Sequence, residues 1–140
     1  MTLCGRSDIA FDIITESNPG YRSWFENGAT TLWELWDGKD VGSHNHHMYS
    51  GVLAWFFKAL LGYNVIEGSE IVELKPDFVK QLSFCEGSVI TKKGKLSIKW
   101  EKENEKVLLE ADVPNNLKVI YKGKLLKYGK NNIVENFGNL

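Results

Sequence analysis

The residues best suited to chemistry lie close together, between residues 28 and 49. The segment 28–38 reads GATTLWELWDG, and the segment 43–49 reads SHNHHMY. Together they supply carboxylates, indole rings and imidazoles. Aromatic faces pack against the C–H bonds of sugar rings, whereas carboxylates and imidazoles bind hydroxyl groups or transfer protons. This mixture favours a carbohydrate site.

Glu34 is the carboxylate with the most distinctive surroundings, because Trp33 and Trp36 flank it. Partial shielding by two indoles would suit a general acid or base. The alternative is that both tryptophans anchor a core and that Glu34 faces solvent, since aromatic residues pack more often than they bind ligands. Composition alone favours this second interpretation.

Two other site chemistries can be built from the same segment. His44 and His46 would share one face of an extended chain and could bind zinc, but no acidic or thiol set nearby completes a first shell. Ser43, His46 and Asp40 could form a nucleophilic triad, but the chain lacks a G-x-S-x-G elbow. We therefore expect no metal and no cofactor.

Three helices are predicted to position these residues. The first two span 7–16 and 21–26, separated by the turn residues Asn18-Pro19-Gly20. The third spans 43–61, with Ser43 or Asn45 as the N-cap and Gly62 as the C-cap. Its apolar residues cover most of its circumference, so we expect it to pack on several sides.

The pattern changes to strands from Ile71 onward, where apolar and polar residues alternate. Turn signals recur roughly every 8 to 12 residues, as in a small antiparallel sandwich. The sequence therefore predicts an α+β protein, with N-terminal helices in residues 1–64 and a β-sandwich in residues 65–140.

Composition excludes several classes of protein. Apolar residues make up 43% and charged residues 25% of the 140 residues, which indicates a globular chain. The net charge of −1 gives no basic surface for nucleic acid. Neither a signal peptide nor a membrane span is predicted, so a soluble protein is expected and the cytoplasm is favoured. The two cysteines are too few for a disulfide framework.

The order of these motifs resembles the end of the catalytic barrel of bacterial α-L-rhamnosidases. The resemblance is carried by GATTLWE-x-WD followed by SHNHH-x-Y-x-G and an apolar W-F-F helix. Residues 5–10 and 18–21 also look like that family. The strand-rich remainder is similar to the small β-sandwich that follows the barrel, so the resemblance covers nearly the whole chain.

The resemblance implies an (α/α)6 barrel that hydrolyses terminal α-L-rhamnosides with inversion. Glu34 would then match the general base, and His46 would contact rhamnose hydroxyls. Trp33 and Trp36 would line or support the pocket, and Asp37 is expected among the substrate contacts. The expected ligand is a rhamnose-containing glycoside.

The family's general acid lies far upstream of the matching segment, and no part of this chain corresponds to it. Asp37 and Asp40 are too close to Glu34 in sequence to be assigned as the opposite carboxylate, and the loop at residues 38–42 is short. We therefore expect the isolated chain to be inactive. Either self-association or an upstream part of the barrel would cover its helices. A noncatalytic carbohydrate-binding or assembly module is the alternative.

Overall fold

The computed structural model describes residues 5–16, 19–37 and 42–136. The chain forms two compact units, Met1–Phe56 and Phe57–Leu140. The sequence instead predicts a domain boundary after residue 64, and that domain assignment stays a prediction.

Two short helices open the first unit. Helix α1 spans Ser7–Thr15 and helix α2 spans Tyr21–Glu26, as the sequence predicts. The side chain of Asn27 donates a hydrogen bond to the carbonyl of Ser23 at 2.7 Å, which satisfies a carbonyl at the end of α2. Among the described residues, none of the helices combines the length and the apolar character that crossing a bilayer requires.

The prediction of a third helix is wrong in two respects, because helical structure begins at His47 and not at Ser43, and it is not one continuous α-helix. A 3-10 turn at His47–Tyr49 comes first, followed by α3 at Gly51–Trp55 and a π-helical turn at Phe56–Leu60. Neither Ser43 nor Asn45 caps a helix, because residues 43–46 form backbone hydrogen bonds with residues 32–34 instead. The C-terminal end agrees better with the sequence, since Gly62 has a φ of +78° just beyond the last turn.

The second unit contains two four-stranded sheets. The strands are β1 (Tyr63–Val65), β2 (Ile71–Leu74), β3 (Phe84–Thr91), β4 (Gly94–Glu103), β5 (Lys106–Val113), β6 (Lys118–Tyr121), β7 (Lys124–Leu125) and β8 (Gly129–Asn136). One sheet has the order β1-β2-β6-β7 and the other has the order β3-β4-β5-β8. All described pairs are antiparallel except β2 with β6.

Alternating residues of the strands build the core of this unit. Leu96, Ile98 and Trp100 of β4 and Val107 and Leu109 of β5 are buried. In β4 they alternate with the polar residues Ser97 and Lys99 on the opposite face of the same sheet, which is why the periodicity of two is visible in the sequence. The fold class is therefore confirmed as α+β, with helices followed by a β-sandwich.

Trp100 joins the end of the helical segment to this core. It has no exposed surface, and its indole Nε1 donates a 2.7 Å hydrogen bond to the carbonyl of Leu60. Phe78 packs edge-on against the indole, with ring centroids 5.3 Å apart. The partnered indole N–H allows a tryptophan to be fully buried at little cost.

Candidate functional site

Two segments of the first unit that lie outside its helices form the framework of the candidate site. The backbone N–H of Glu34 donates to the carbonyl of Ser43 at 2.8 Å, and that of His46 donates to the carbonyl of Leu32 at 2.8 Å. The Thr31 hydroxyl adds a hydrogen bond to the carbonyl of His44. The segment carrying Glu34 is therefore paired directly with the segment carrying His46.

The Glu34 carboxylate is held by the backbone of the second segment. Its Oε2 atom accepts a hydrogen bond from the backbone N–H of Ser43 at 2.9 Å, and the side chain is half-buried. Gly42 precedes this donor with a φ of +80°, and a Cβ added there would lie 3.1 Å from Oε2. The glycine therefore lets the backbone approach the carboxylate closely.

His46 carries a polar atom without a protein partner. Its Nδ1 is buried and accepts or donates no hydrogen bond within residues 5–16, 19–37 and 42–136. Leaving such a group unsatisfied costs about 1 to 3 kcal/mol, so a buried nitrogen of this kind generally has a partner. A ligand hydroxyl beside the ring would provide one.

Trp33 is buried, with 6% of its surface exposed, and it stacks on a histidine. Its ring lies parallel to that of His44, with centroids 4.2 Å apart and an interplanar angle of 9°. This burial suits a side chain that supports neighbouring groups. It leaves little of the indole to contact a ligand directly.

Trp36 belongs to an aromatic cluster with Tyr21, Trp24 and Tyr49. Its ring centroid lies 4.8 Å from those of Tyr21 and Tyr49 and 5.5 Å from that of Trp24. Trp24 Nε1 donates to the carbonyl of Leu35 at 2.8 Å, and the Tyr21 hydroxyl donates to the carbonyl of Tyr49 at 2.6 Å. Burial, reinforced by Tyr49, raises the pKa of Tyr21 above its ordinary value.

The cluster holds helix α2 and the 3-10 turn against the segment that carries Glu34. The sequence does not predict that Tyr21, Trp24 and Tyr49 belong to this framework. The available signal was the concentration of aromatic residues in a helix as short as α2.

The other predicted site residues lie at the margin of this framework. Asp37 is exposed and is the last residue before the gap in the described chain. Asp40 falls within that gap, outside the described residues. Within the described part of the chain, no group of three or more His, Cys, Asp and Glu side chains is arranged to hold a metal ion.

Two family models match the chain in succession. Residues 1–60 match the bacterial α-L-rhamnosidase 6 hairpin glycosidase domain. Residues 67–121 match the bacterial α-L-rhamnosidase C-terminal domain. The two matches follow the order of the helical and strand-rich parts of the chain.

Proteins similar to this chain carry the same description. An α-L-rhamnosidase from Alteromonas sp. (strain LOR) is 29% identical over 126 residues, covering 81% of this chain. An α-L-rhamnosidase of known structure from Dictyoglumus thermophilum has 31% sequence identity to this chain over 86% of its length, with a TM-score of 0.76. A Streptomyces avermitilis α-L-rhamnosidase, solved with L-rhamnose, is 22% identical over 86%, with a TM-score of 0.78. The chain spans 14%, 14% and 13% of their respective lengths.

Proposed function

Since this chain belongs to the bacterial α-L-rhamnosidase family, we propose that it supplies the general base and part of the sugar pocket of a glycoside hydrolase. Glu34 is the base, and His46 is a contact to the hydroxyl groups of a terminal α-L-rhamnose. The chain corresponds to the C-terminal part of its relatives, and residues outside it supply the general acid.

The chemistry assigned to Glu34 is removal of a proton from the attacking water. The Ser43 N–H fixes the direction of the carboxylate through its hydrogen bond to Oε2. In an inverting glycosidase the acid and base carboxyl groups stand about 6.5 to 9.5 Å apart, which leaves room for the water. Asp37 follows Glu34 on the same segment and is assigned to substrate contact instead.

His46 is assigned to sugar binding because its buried Nδ1 has no partner among the described residues. A rhamnose hydroxyl within hydrogen-bond distance would satisfy that atom. Trp33 supports the site by stacking on the neighbouring His44, and Trp36 supports it through the aromatic cluster.

The observation that carries the proposal is the pairing of residues 31–34 with residues 43–46. It joins the segments of the candidate base and the candidate sugar contact through backbone hydrogen bonds, so the backbone at Glu34 and at His46 is held in one relative position. Catalysis depends on such fixed geometry, because small displacements of a catalytic group cost large factors in rate.

Titration of the chain with L-rhamnose, followed by amide chemical shifts, tests the sugar-binding part of the proposal. We expect saturable shifts at residues 31–34 and 43–46, and about five- to thirtyfold weaker binding in His46→Ala, since a lost buried hydrogen bond is worth about 1 to 2 kcal/mol. His47→Ala is the matched control, because it removes an exposed imidazole that stacks on the His46 ring, with centroids 5.9 Å apart, and leaves the buried Nδ1 of His46 in place. Equal losses in the two variants would contradict the assignment of His46.

A noncatalytic carbohydrate-binding or assembly module is the second candidate function. It is favoured by the small share of each relative that the chain spans, 14% for the Alteromonas enzyme. In that case Glu34 would have no role in hydrolysis, even when the missing part of the barrel is supplied. The two candidates therefore differ in the effect of Glu34→Gln on a complete enzyme.

A further inference from the structure

The second unit contains a basic cleft far along the sequence from the candidate sugar site. It has a volume of about 550 Å³ and lies beside β7 and β8. Its charged lining consists of Lys122, Lys124, Lys127, Lys130 and Glu135. We name it the lysine cleft.

We propose that the lysine cleft binds an anionic stretch of polysaccharide, through the carboxylate or sulfate groups of its sugars. Four lysines and one glutamate give the lining a net charge of +3, whereas the whole chain carries −1. The lining therefore carries a local excess of positive charge that the chain as a whole does not. Such a concentration attracts a ligand that repeats its negative charge along its length.

Three of the four lysines keep their charge available. Lys122 forms a 2.7 Å ion pair with Glu135. Lys124, Lys127 and Lys130 form no salt bridge with any residue in the described ranges. Their ammonium groups are therefore available to form ion pairs with an anionic ligand.

The backbone that carries these lysines is held in place by Asn131. The amide of Asn131 donates to the carbonyls of Lys127 and Gly129 at 2.8 and 2.9 Å. Its oxygen accepts the backbone N–H of Lys127 at 3.0 Å. Lys127 and Lys130 therefore project from a fixed loop and strand, which lowers the entropy lost when a ligand binds.

The chemistry of the lining favours a glycan over a nucleic acid. Leu125 lines the cleft and is 66% exposed, so it offers an apolar surface to the C–H face of a sugar ring. Tyr121 is the aromatic residue of the lining, but it is only 6% exposed and gives bases little surface for stacking. The choice of a glycan rests on this lining and on the match to a glycosidase family, and not on the roles of Glu34 and His46.

Binding of the whole chain to immobilised polygalacturonate, dextran sulfate and uncharged dextran tests the proposal. We expect binding to at least one charged polymer, no binding to dextran, and weaker binding as NaCl rises. The charged polymer that the chain binds more tightly identifies the preferred anion, which is carboxylate for polygalacturonate and sulfate for dextran sulfate. The triple variant Lys124→Gln, Lys127→Gln, Lys130→Gln is expected to bind about tenfold or more weakly, since three exposed ion pairs are lost.

The matched control is Lys92→Gln, Lys95→Gln, Lys106→Gln, which removes the same charge at exposed positions outside the cleft. It is expected to bind within about twofold of the unaltered chain. Equal losses in the two triple variants, or binding to duplex DNA or polyglutamate as tight as to the charged glycans, would overturn the proposal. His46→Ala is expected to leave polymer binding unchanged. The polymer assay therefore tests the lysine cleft, and the rhamnose titration tests the sugar site, independently of each other.

Discussion

Residues of the same type have different surroundings in this chain, and those surroundings separate their roles. Trp33 is buried against His44, whereas Trp36 is half-buried in a cluster of four aromatic rings. His46 has a buried nitrogen without a partner among the described residues, whereas His47 is exposed. Sequence motifs identify the set of candidate side chains, and burial and hydrogen bonding rank them.

The buried hydroxyl of Tyr121 is expected to make the stability of the second unit depend on pH in the alkaline range. Burial of Tyr121, together with the nearby charge and hydrogen bond of Glu135, raises the pKa of its hydroxyl above the ordinary value of 10.0. The unfolded chain therefore loses this proton first as pH rises, so folding stability is retained below pH 10 and falls above it. We expect unaltered protein to lose up to about 1.4 kcal/mol more per pH unit than Tyr121→Phe above pH 10.

The measurement is the free energy of unfolding in urea at several pH values between neutral and strongly alkaline. Tyr128→Phe is the control, because Tyr128 is 56% exposed. That variant should keep the steep alkaline loss of the unaltered chain. Parallel curves for all three proteins would show that Tyr121 titrates alike in the folded and unfolded states.

Secondary structure was predictable wherever burial alternates with exposure along the sequence. Helices α1 and α2 keep their predicted ranges to within one residue, and the alternating apolar residues Leu96/Ile98/Trp100 and Val107/Leu109/Ala111 fall within β4 and β5. Strand β8 went unpredicted because its half-buried side includes Asn131 and Glu135, which hide the alternation. Strand β7 has two residues, too few to show any period.

The sequence predicts the side chains of the candidate site but not the backbone groups that hold them. Glu34 and His46 stand out by type and spacing, whereas the N–H of Ser43 and the close approach of Gly42 are backbone features. These features depend on how residues 42–46 return to residues 32–34, and the short-range pattern instead favoured a helix that starts at Ser43. Tertiary pairing therefore overrode local helix signals there.

A substitution at Gly62 tests how tightly the chain packs where the π-helical turn meets β1. Gly62 has a φ of +78°, and a Cβ added there would lie 2.3 Å from the backbone nitrogen of Pro76. We expect Gly62→Ala to lower the free energy of unfolding by about 3 kcal/mol or more, because both the backbone conformation and the packing resist a side chain. Denaturant unfolding measures the change.

Gly68 is the matched control for this substitution. Its φ of +73° is similar, but a Cβ added there would meet no atom within 4 Å. Gly68→Ala should therefore cost only about 1 kcal/mol, the strain of the left-handed conformation itself. A similar cost at both positions would mean that contact with Pro76 contributes nothing.

The first unit exposes several large apolar side chains for its size. The exposed fractions are 74% for Phe25, 57% for Met48, 56% for Leu53 and 40% for Ile13. Apolar surface of this extent usually meets a partner surface. We propose that the rest of a helical glycosidase domain covers this surface and supplies the general acid, so that hydrolysis needs residues outside this chain.

The most direct test of the role of Glu34 is to join this chain to the preceding part of the Dictyoglumus thermophilum relative and measure hydrolysis of an aryl α-L-rhamnoside. The proposal predicts turnover by the chimera, no turnover by the isolated chain, and a loss of about 10² to 10⁴ in kcat with Glu34→Gln. Glu67→Gln, at an exposed turn, serves as the control and should change kcat little. A folded Glu34→Gln chimera that hydrolyses the substrate as fast as the unaltered chimera would contradict the assignment of Glu34 as the base.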